Sequence, residues 1–128
     1  MPLTLALAVR DLDATEVFYR DLLRRDVERF TPLGFAPVLL LRDGDATIVF
    51  RSLPATQALH PGVFQDLDRQ PFGVGVRLEF VVKDLTAINQ QFVRRQWPIL
   101  YELEDAEYNR RELWVRDPDG YLVVLETS

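Results

Sequence analysis

Cysteine is absent from this chain of 128 residues. That single absence excludes disulfide frameworks, thiolate metal sites, iron–sulfur clusters and cysteine nucleophiles. Histidine occurs once, at His60, so no site needing two imidazoles from one chain, such as an HExxH zinc site, can be built. Lysine also occurs once, at Lys83, and acidic residues outnumber basic ones 20 to 15 for a net charge of −5. Nucleic acid is not an expected partner of such a surface, because phosphate binding needs a basic footprint. No apolar run approaches the ~18 residues of a membrane span, so no membrane partner is expected either. The N-terminus, Met1-Pro2-Leu3-Thr4-Leu5, has neither a basic segment nor a long apolar stretch, which makes a cytoplasmic location the expectation. Gly73-Val74-Gly75 is too short for a phosphate loop and precedes a strand pattern, and no Ser/His/Asp nucleophile elbow is present.

What the chain does contain is a globular balance, 48% hydrophobic and 27% charged, sized for one domain. It also contains a repeat. Val9-Arg10-Asp11-Leu12-Asp13-Ala14 returns as Val82-Lys83-Asp84-Leu85-Thr86-Ala87, and Leu41-Arg42-Asp43-Gly44 is echoed by Val115-Arg116-Asp117 with Gly120 following. Two matches at almost the same offset imply two equivalent modules. Their approximate extents are 1–52 and 74–128, with a linker at 53–73 that holds Pro54, Pro61, Pro71 and Gly62 and one short helical turn.

Each module opens on a strand. Leu5, Leu7 and Val9 alternate with Thr4, Ala6 and Ala8, the period of a half-buried strand. Asp11 or Asp13 then caps a helix whose stripe is Ala14, Val17, Phe18 and Leu22, with Arg24 and Arg25 closing its last turn. Strands follow at 26–30, 36–41 and 46–51. The second module repeats the order, with a strand at 76–83, a helix at 85–96 facing inward through Ile88, Phe92 and Val93, and strands at 98–102, 111–116 and 121–126. Asp117-Pro118-Asp119-Gly120 is the turn between the last two. The expected fold class is α+β, as two βαβββ modules.

With those residues in view the chain resembles the vicinal oxygen chelate superfamily of glyoxalase I, extradiol dioxygenases, fosfomycin-modifying enzymes and bleomycin-resistance proteins. The resemblance rests on the two βαβββ modules, the V-x-D-L-x-A junctions, Phe18-Tyr19-Arg20-Asp21-Leu22-Leu23 and the terminal Arg116-Asp117-Pro118-Asp119-Gly120-Tyr121-Leu122-Val123-Val124-Leu125. It implies a mixed, curved sheet forming a cup, and a homodimer. Family members usually carry glycine after the helix leucine, where this chain has Arg24-Arg25, so the helix is expected to run longer.

In the superfamily's enzymes the cup holds a divalent metal, bound by one residue from the first and one from the last strand of each module. Counting back from the junction aspartates brings Thr4 and Arg77 to the first-strand positions. Counting on from Gly120 brings Val124, and the first-module counterpart is Ile48 or Phe50. None of these is a plausible ligand, and Arg77 sets a permanent cation where the metal would be. The resemblance therefore implies the metal-free, bleomycin-resistance-like branch, with no cofactor and with a small-molecule ligand bound unchanged in the cup. An enzyme of lyase or dioxygenase type with an atypical site, and a protein-interaction module, are the alternatives.

Strand alternation turns Arg77, Glu79 and Val81 to the cup, and Leu78, Phe80 and Val82 to the helix. Arg77 and Glu79 either orient a polar group of the ligand or pair with each other toward solvent or a second subunit. Trp114 shares a face with Glu112 and Arg116, as a ligand platform or as packing. Thr4, Ile48, Phe50, Arg77, Glu79, Trp114 and Val124 are thus the candidate ligand-binding residues. Trp97 and Tyr19 read as packing residues, His60 as a surface residue, and the acidic run Glu102, Glu104, Asp105 and Glu107 as a solvated loop.

Overall fold

Leu3–Val9 forms strand β1, and Asp11 ends it. In the computed structural model, which describes residues 2–127, the Asp11 backbone is extended and its carboxylate accepts from the amides of Asp13 and Ala14 at 3.0 and 3.2 Å. That cap satisfies two donors that helix geometry leaves orphaned. Helix α1 (Leu12–Glu16) continues as a π-helical segment over Val17–Leu22. The wider turn changes which side chains face inward. Tyr19 and Leu23 are buried beside Phe18 and Leu22, whereas Val17, expected on the stripe, is 39% exposed.

The helix does not run on through the arginines. Arg24 takes φ +56°, the left-handed conformation that ends a helix, and the Arg25 amide donates to Tyr19 O at 2.9 Å. Arg24 thus stands, with a β-carbon, where glycine is favoured. Gln96 does the same after the second module's helix, at φ +55°. A left-handed residue other than glycine costs roughly 1–2 kcal/mol, while glycine costs roughly 0.5–1 kcal/mol in unfolded-chain entropy. Arg24→Gly is therefore expected to stabilise the protein by about 0.5–1 kcal/mol, read as a raised urea midpoint. A lowered midpoint would show that the arginine side chain contributes more than its backbone costs.

Three further strands complete the first sheet, β2 (Asp26–Phe30), β3 (Val38–Asp43) and β4 (Ala46–Ser52), in the order β1-β4-β3-β2. β1 runs parallel to β4 and the other pairs are antiparallel. One face packs on the helix. Leu7, Val9, Leu39, Leu41, Ile48 and Phe50 are buried there, and the Phe50 ring meets Tyr19 at 4.8 Å. Arg29 ties β2 back to α1 through Glu16 at 3.0 Å and Asp13. The hydrogen bond to Glu16 is the main reason its pKa is raised, against an opposing effect of burial. Part of the expected linker is helical. α2 (Leu53–Leu59) is capped by Ser52, whose hydroxyl accepts from the Ala55 amide, and has proline in its first turn. A 3₁₀ turn follows at Leu67–Arg69.

The chain divides into two compact units between Pro71 and Phe72. The second unit holds β5 (Arg77–Val82), α3 (Leu85–Arg94), β6 (Ile99–Asp105), β7 (Arg110–Arg116) and β8 (Leu122–Thr127). Its order, β5-β8-β7-β6, reproduces the first sheet, again with the first strand parallel to the last. The two βαβββ modules and the α+β class are as expected. Leu78, Phe80, Val82, Leu113, Val115, Val123 and Leu125 are buried together with Leu85, Ile88 and Phe92 of α3. Val93 points away and is 65% exposed. No helix among the described residues is long and apolar enough to cross a membrane.

Candidate functional site

β5 sorts its side chains by parity. Leu78, Phe80 and Val82 go to the core, and Arg77, Glu79 and Val81 go to the opposite face. Cα partners then draw a row across that face, from Glu79 to Val124, from Val124 to Trp114 and from Trp114 to Tyr101. Arg77, Leu122 and Arg116 form the next row. The second module therefore brings four of the sequence candidates together, namely Arg77, Glu79, Trp114 and Val124.

Their geometry is specific. Arg77 Nε lies 3.0 Å from Glu79 Oε1, and the Arg77 guanidinium carbon sits 5.4 Å from the centre of the Trp114 ring. That is within the ~6 Å reach of a cation–π contact. The indole Nε1–H donates to Glu112 Oε2 at 3.0 Å, which fixes the ring's direction. Tyr101 meets Trp114 edge-on, with centroids 5.6 Å apart. Val124 is buried at 1% exposure and makes the floor. Both members of the Arg77–Glu79 pair stand about half exposed, at 50% and 49%. Such a pair contributes less than ~1 kcal/mol, so a ligand can exchange with either partner at small cost.

Beside this row lies an open hollow of about 790 Å³, bounded by Arg77, Glu79, Arg116, Leu122 and the segment 72–76. Phe72 stacks on Tyr121 at 6.0 Å. Gly73 follows at φ +76°, and a β-carbon there would fall 2.5 Å from the Tyr121 ring. Only glycine allows this wall to lie so close to the turn before β8.

The first-module candidates fare differently. Thr4 lies on the face of β1 opposite the core and is exposed. Ile48 and Phe50 do not share its side. Phe50 is fully buried against Tyr19 and Ile48 is 8% exposed, both on the helix-packed face. The position that pairs across the sheet as Val124 does is Val49, which partners Ala6 as Val124 partners Glu79. The reason is turn length. Two residues, Gly44 and Asp45, lie between the paired Asp43 and Ala46, whereas five lie between the paired Arg116 and Leu122. The difference is odd, so counting from the turn glycine lands on the wrong face of β4.

Taken module by module, the metal positions implied by the resemblance are a threonine, a guanidinium and two valines. One hydroxyl is the only oxygen donor in that set, and a divalent ion needs three or more oxygen or nitrogen ligands. The residues do not fit a metal. Among the described residues no three of His, Asp and Glu come together as a ligand cluster elsewhere.

The remaining sequence candidates have structural tasks. Trp97 donates its indole N–H to Arg116 O at 2.9 Å, and Tyr19 fills the first core. His60 is exposed at the end of α2. Glu102 accepts from Asn89 at 3.1 Å, and Asp105 accepts from the Tyr108 amide at 3.4 Å. Sequence reasoning passed over a second hollow, in the first unit, beside Arg51. Its walls come partly from 31–37 and from α2, segments with no strand or helix periodicity strong enough to mark a site.

The sequence profile of the Glyoxalase/Bleomycin resistance protein/Dioxygenase superfamily matches residues 3–125. No curated protein matches the chain. Among solved structures, a lactoylglutathione lyase from Agrobacterium tumefaciens is similar over 100% of this chain and 93% of its own, with a TM-score of 0.65 and 18% identity. A glyoxalase/bleomycin resistance protein from Catenulispora acidiphila matches over 100% and 98%, with a TM-score of 0.62 and 18% identity. The hypothetical protein SA1046 from S. aureus matches over 100% and 93%, with a TM-score of 0.69 and 13% identity. Identities this low establish the shared fold.

Proposed function

We propose that this chain, which belongs to the glyoxalase/bleomycin resistance protein/dioxygenase superfamily, is a small-molecule binding protein that holds its ligand without a metal and without changing it covalently. The observation that carries the reading is the Arg77 guanidinium, paired with Glu79 and laid over Trp114, at a position where the superfamily's enzymes place a metal ligand. A planar ligand gains contact with the Arg77–Trp114 stack and with Tyr101. Its acceptors meet Arg77 and its donors meet Glu79. The fold alone does not choose between binding and catalysis, so the reading rests on these side chains. A homodimer in the cytoplasm is part of the same proposal.

The test uses a Trp97→Phe background, in which Trp114 is the only indole. Basic glycopeptides and polar aromatic drugs are titrated in excess EDTA while fluorescence is followed. Saturable quenching that survives EDTA is expected, and Arg77→Met should weaken it by about tenfold, the equivalent of ~1.4 kcal/mol. Stoichiometric metal in protein purified without chelators, or quenching that EDTA removes, would overturn the reading.

A further inference from the structure

We propose that the ligand of the second unit's site is an aromatic carboxylate, with its ring against the Arg77–Trp114 stack and its anionic head shared by Arg77 and Arg116. The inference rests on the metal-free binding reading given above and adds to it the charge of the ligand. It comes from the row next to Trp114, in which Arg77 and Arg116 flank Leu122 as its two cross-strand partners. Two strand spacings put their Cα atoms about 10 Å apart. Two arginine side chains can span that gap and meet on one small anion. Both border the open hollow of about 790 Å³.

Three observations give the sign of the charge. Arg116 has no acid: its guanidinium donates to Gly120 O at 3.0 Å and makes no ion pair among the described residues. Among the described residues that line the hollow, Glu79 is the one acid, and Arg77 already engages it at 3.0 Å. Two guanidiniums against one carboxylate leave the hollow a net cation in a chain of net charge −5. The third observation is the wall formed by Val74 and Gly75, whose amides donate to no acceptor among the described residues. Unengaged amides beside arginines favour an oxyanion, whereas a cationic ligand would face like charge. The aromatic part follows from Trp114, with Arg77 at 5.4 Å and Tyr101 at 5.6 Å from its ring centre. Glu79 then acts as a competitor. An incoming carboxylate takes Arg77 from it, and the half-exposed Glu79 turns to water.

Calorimetry in excess EDTA compares naphthalene-2-carboxylate with the neutral naphthalene-2-carboxamide and the cationic 2-naphthylmethylammonium, while the Trp114 indole N–H resonance is followed. The carboxylate should bind about tenfold more tightly than the amide, and the ammonium most weakly. Arg116→Met should bring the carboxylate to within about twofold of the amide, and Arg116→Lys, which keeps the charge, should retain part of the preference. Glu79→Gln should tighten carboxylate binding about threefold, because this probe has no donor for Glu79 and loses only a competitor. Amide or ammonium binding as tight as the carboxylate's, or a preference untouched by Arg116→Met, would overturn the inference and leave the binding reading intact. If none of the three compounds moves the Trp114 resonance, both fall together.

Discussion

Phe50→Ala is expected to cost about 3–5 kcal/mol, as removal of a fully buried aromatic ring generally does. The melting temperature should fall by roughly 10–20 °C for a chain of this length. Phe50 has no exposed surface and its ring lies 4.8 Å from that of Tyr19, so truncation leaves a void between β4 and the helix. Its neighbour Val49 is the contrasting case. Val49→Ala removes two methyl groups bordering the first unit's cavity, and about 1–2 kcal/mol is expected. Chemical denaturation of the two variants measures the difference directly. If Val49→Ala were the more damaging, the faces of β4 would be reversed and Phe50 would belong to the ligand side after all.

Asp117→Ala should be nearly as severe. The side chain is 3% exposed, and Oδ1 accepts from the amides of Asp119 and Tyr121, both at 2.9 Å. Tyr121 O in turn accepts from the Asp117 amide at 2.9 Å, closing the turn on itself. Alanine leaves two amide donors without their acceptor, at about 1–3 kcal/mol for each one kept from water. A loss of about 2–4 kcal/mol is expected from urea unfolding. Asp117→Asn keeps an acceptor oxygen and should recover more than half of that loss. An asparagine variant as unstable as the alanine one would mean that the negative charge, rather than the acceptor geometry, holds the turn.

The fold was readable because strand parity and the repeated V-x-D-L-x-A junction are local and redundant. Leu78, Phe80 and Val82 could go to only one face, and Asp11, one of the two caps the sequence offered, caps the first helix as Asp84 caps the second. Where sequence reasoning failed, one residue of phase was the cause. The π-helical segment moved Val17 outward, and the shorter turn at Gly44 exchanged Val49 for Ile48 and Phe50. Arg24 was read as lengthening a helix because nothing in its identity announces a positive φ. The second-module site was legible for a different reason. Arg77, Glu79, Trp114 and Val124 lie on paired strands with regular register, so alternation alone collects them. The hollow beside Arg51 was not, because part of its wall comes from residues between β2 and β3 that carry no strand or helix period.

The parallel pairing of β1 with β4 also carries a kinetic consequence. Asp43 reaches Ala46 across two residues, but Leu3 must find the same Ala46 across nearly the whole module. Loop-closure entropy grows with that separation, so the hairpins should assemble early and the leading strand should dock late. The second module repeats the arrangement, with Arg77 meeting Leu122. Each half then has its own slow closing step, and a nascent chain can complete the first before the partner of Arg77 has been synthesised.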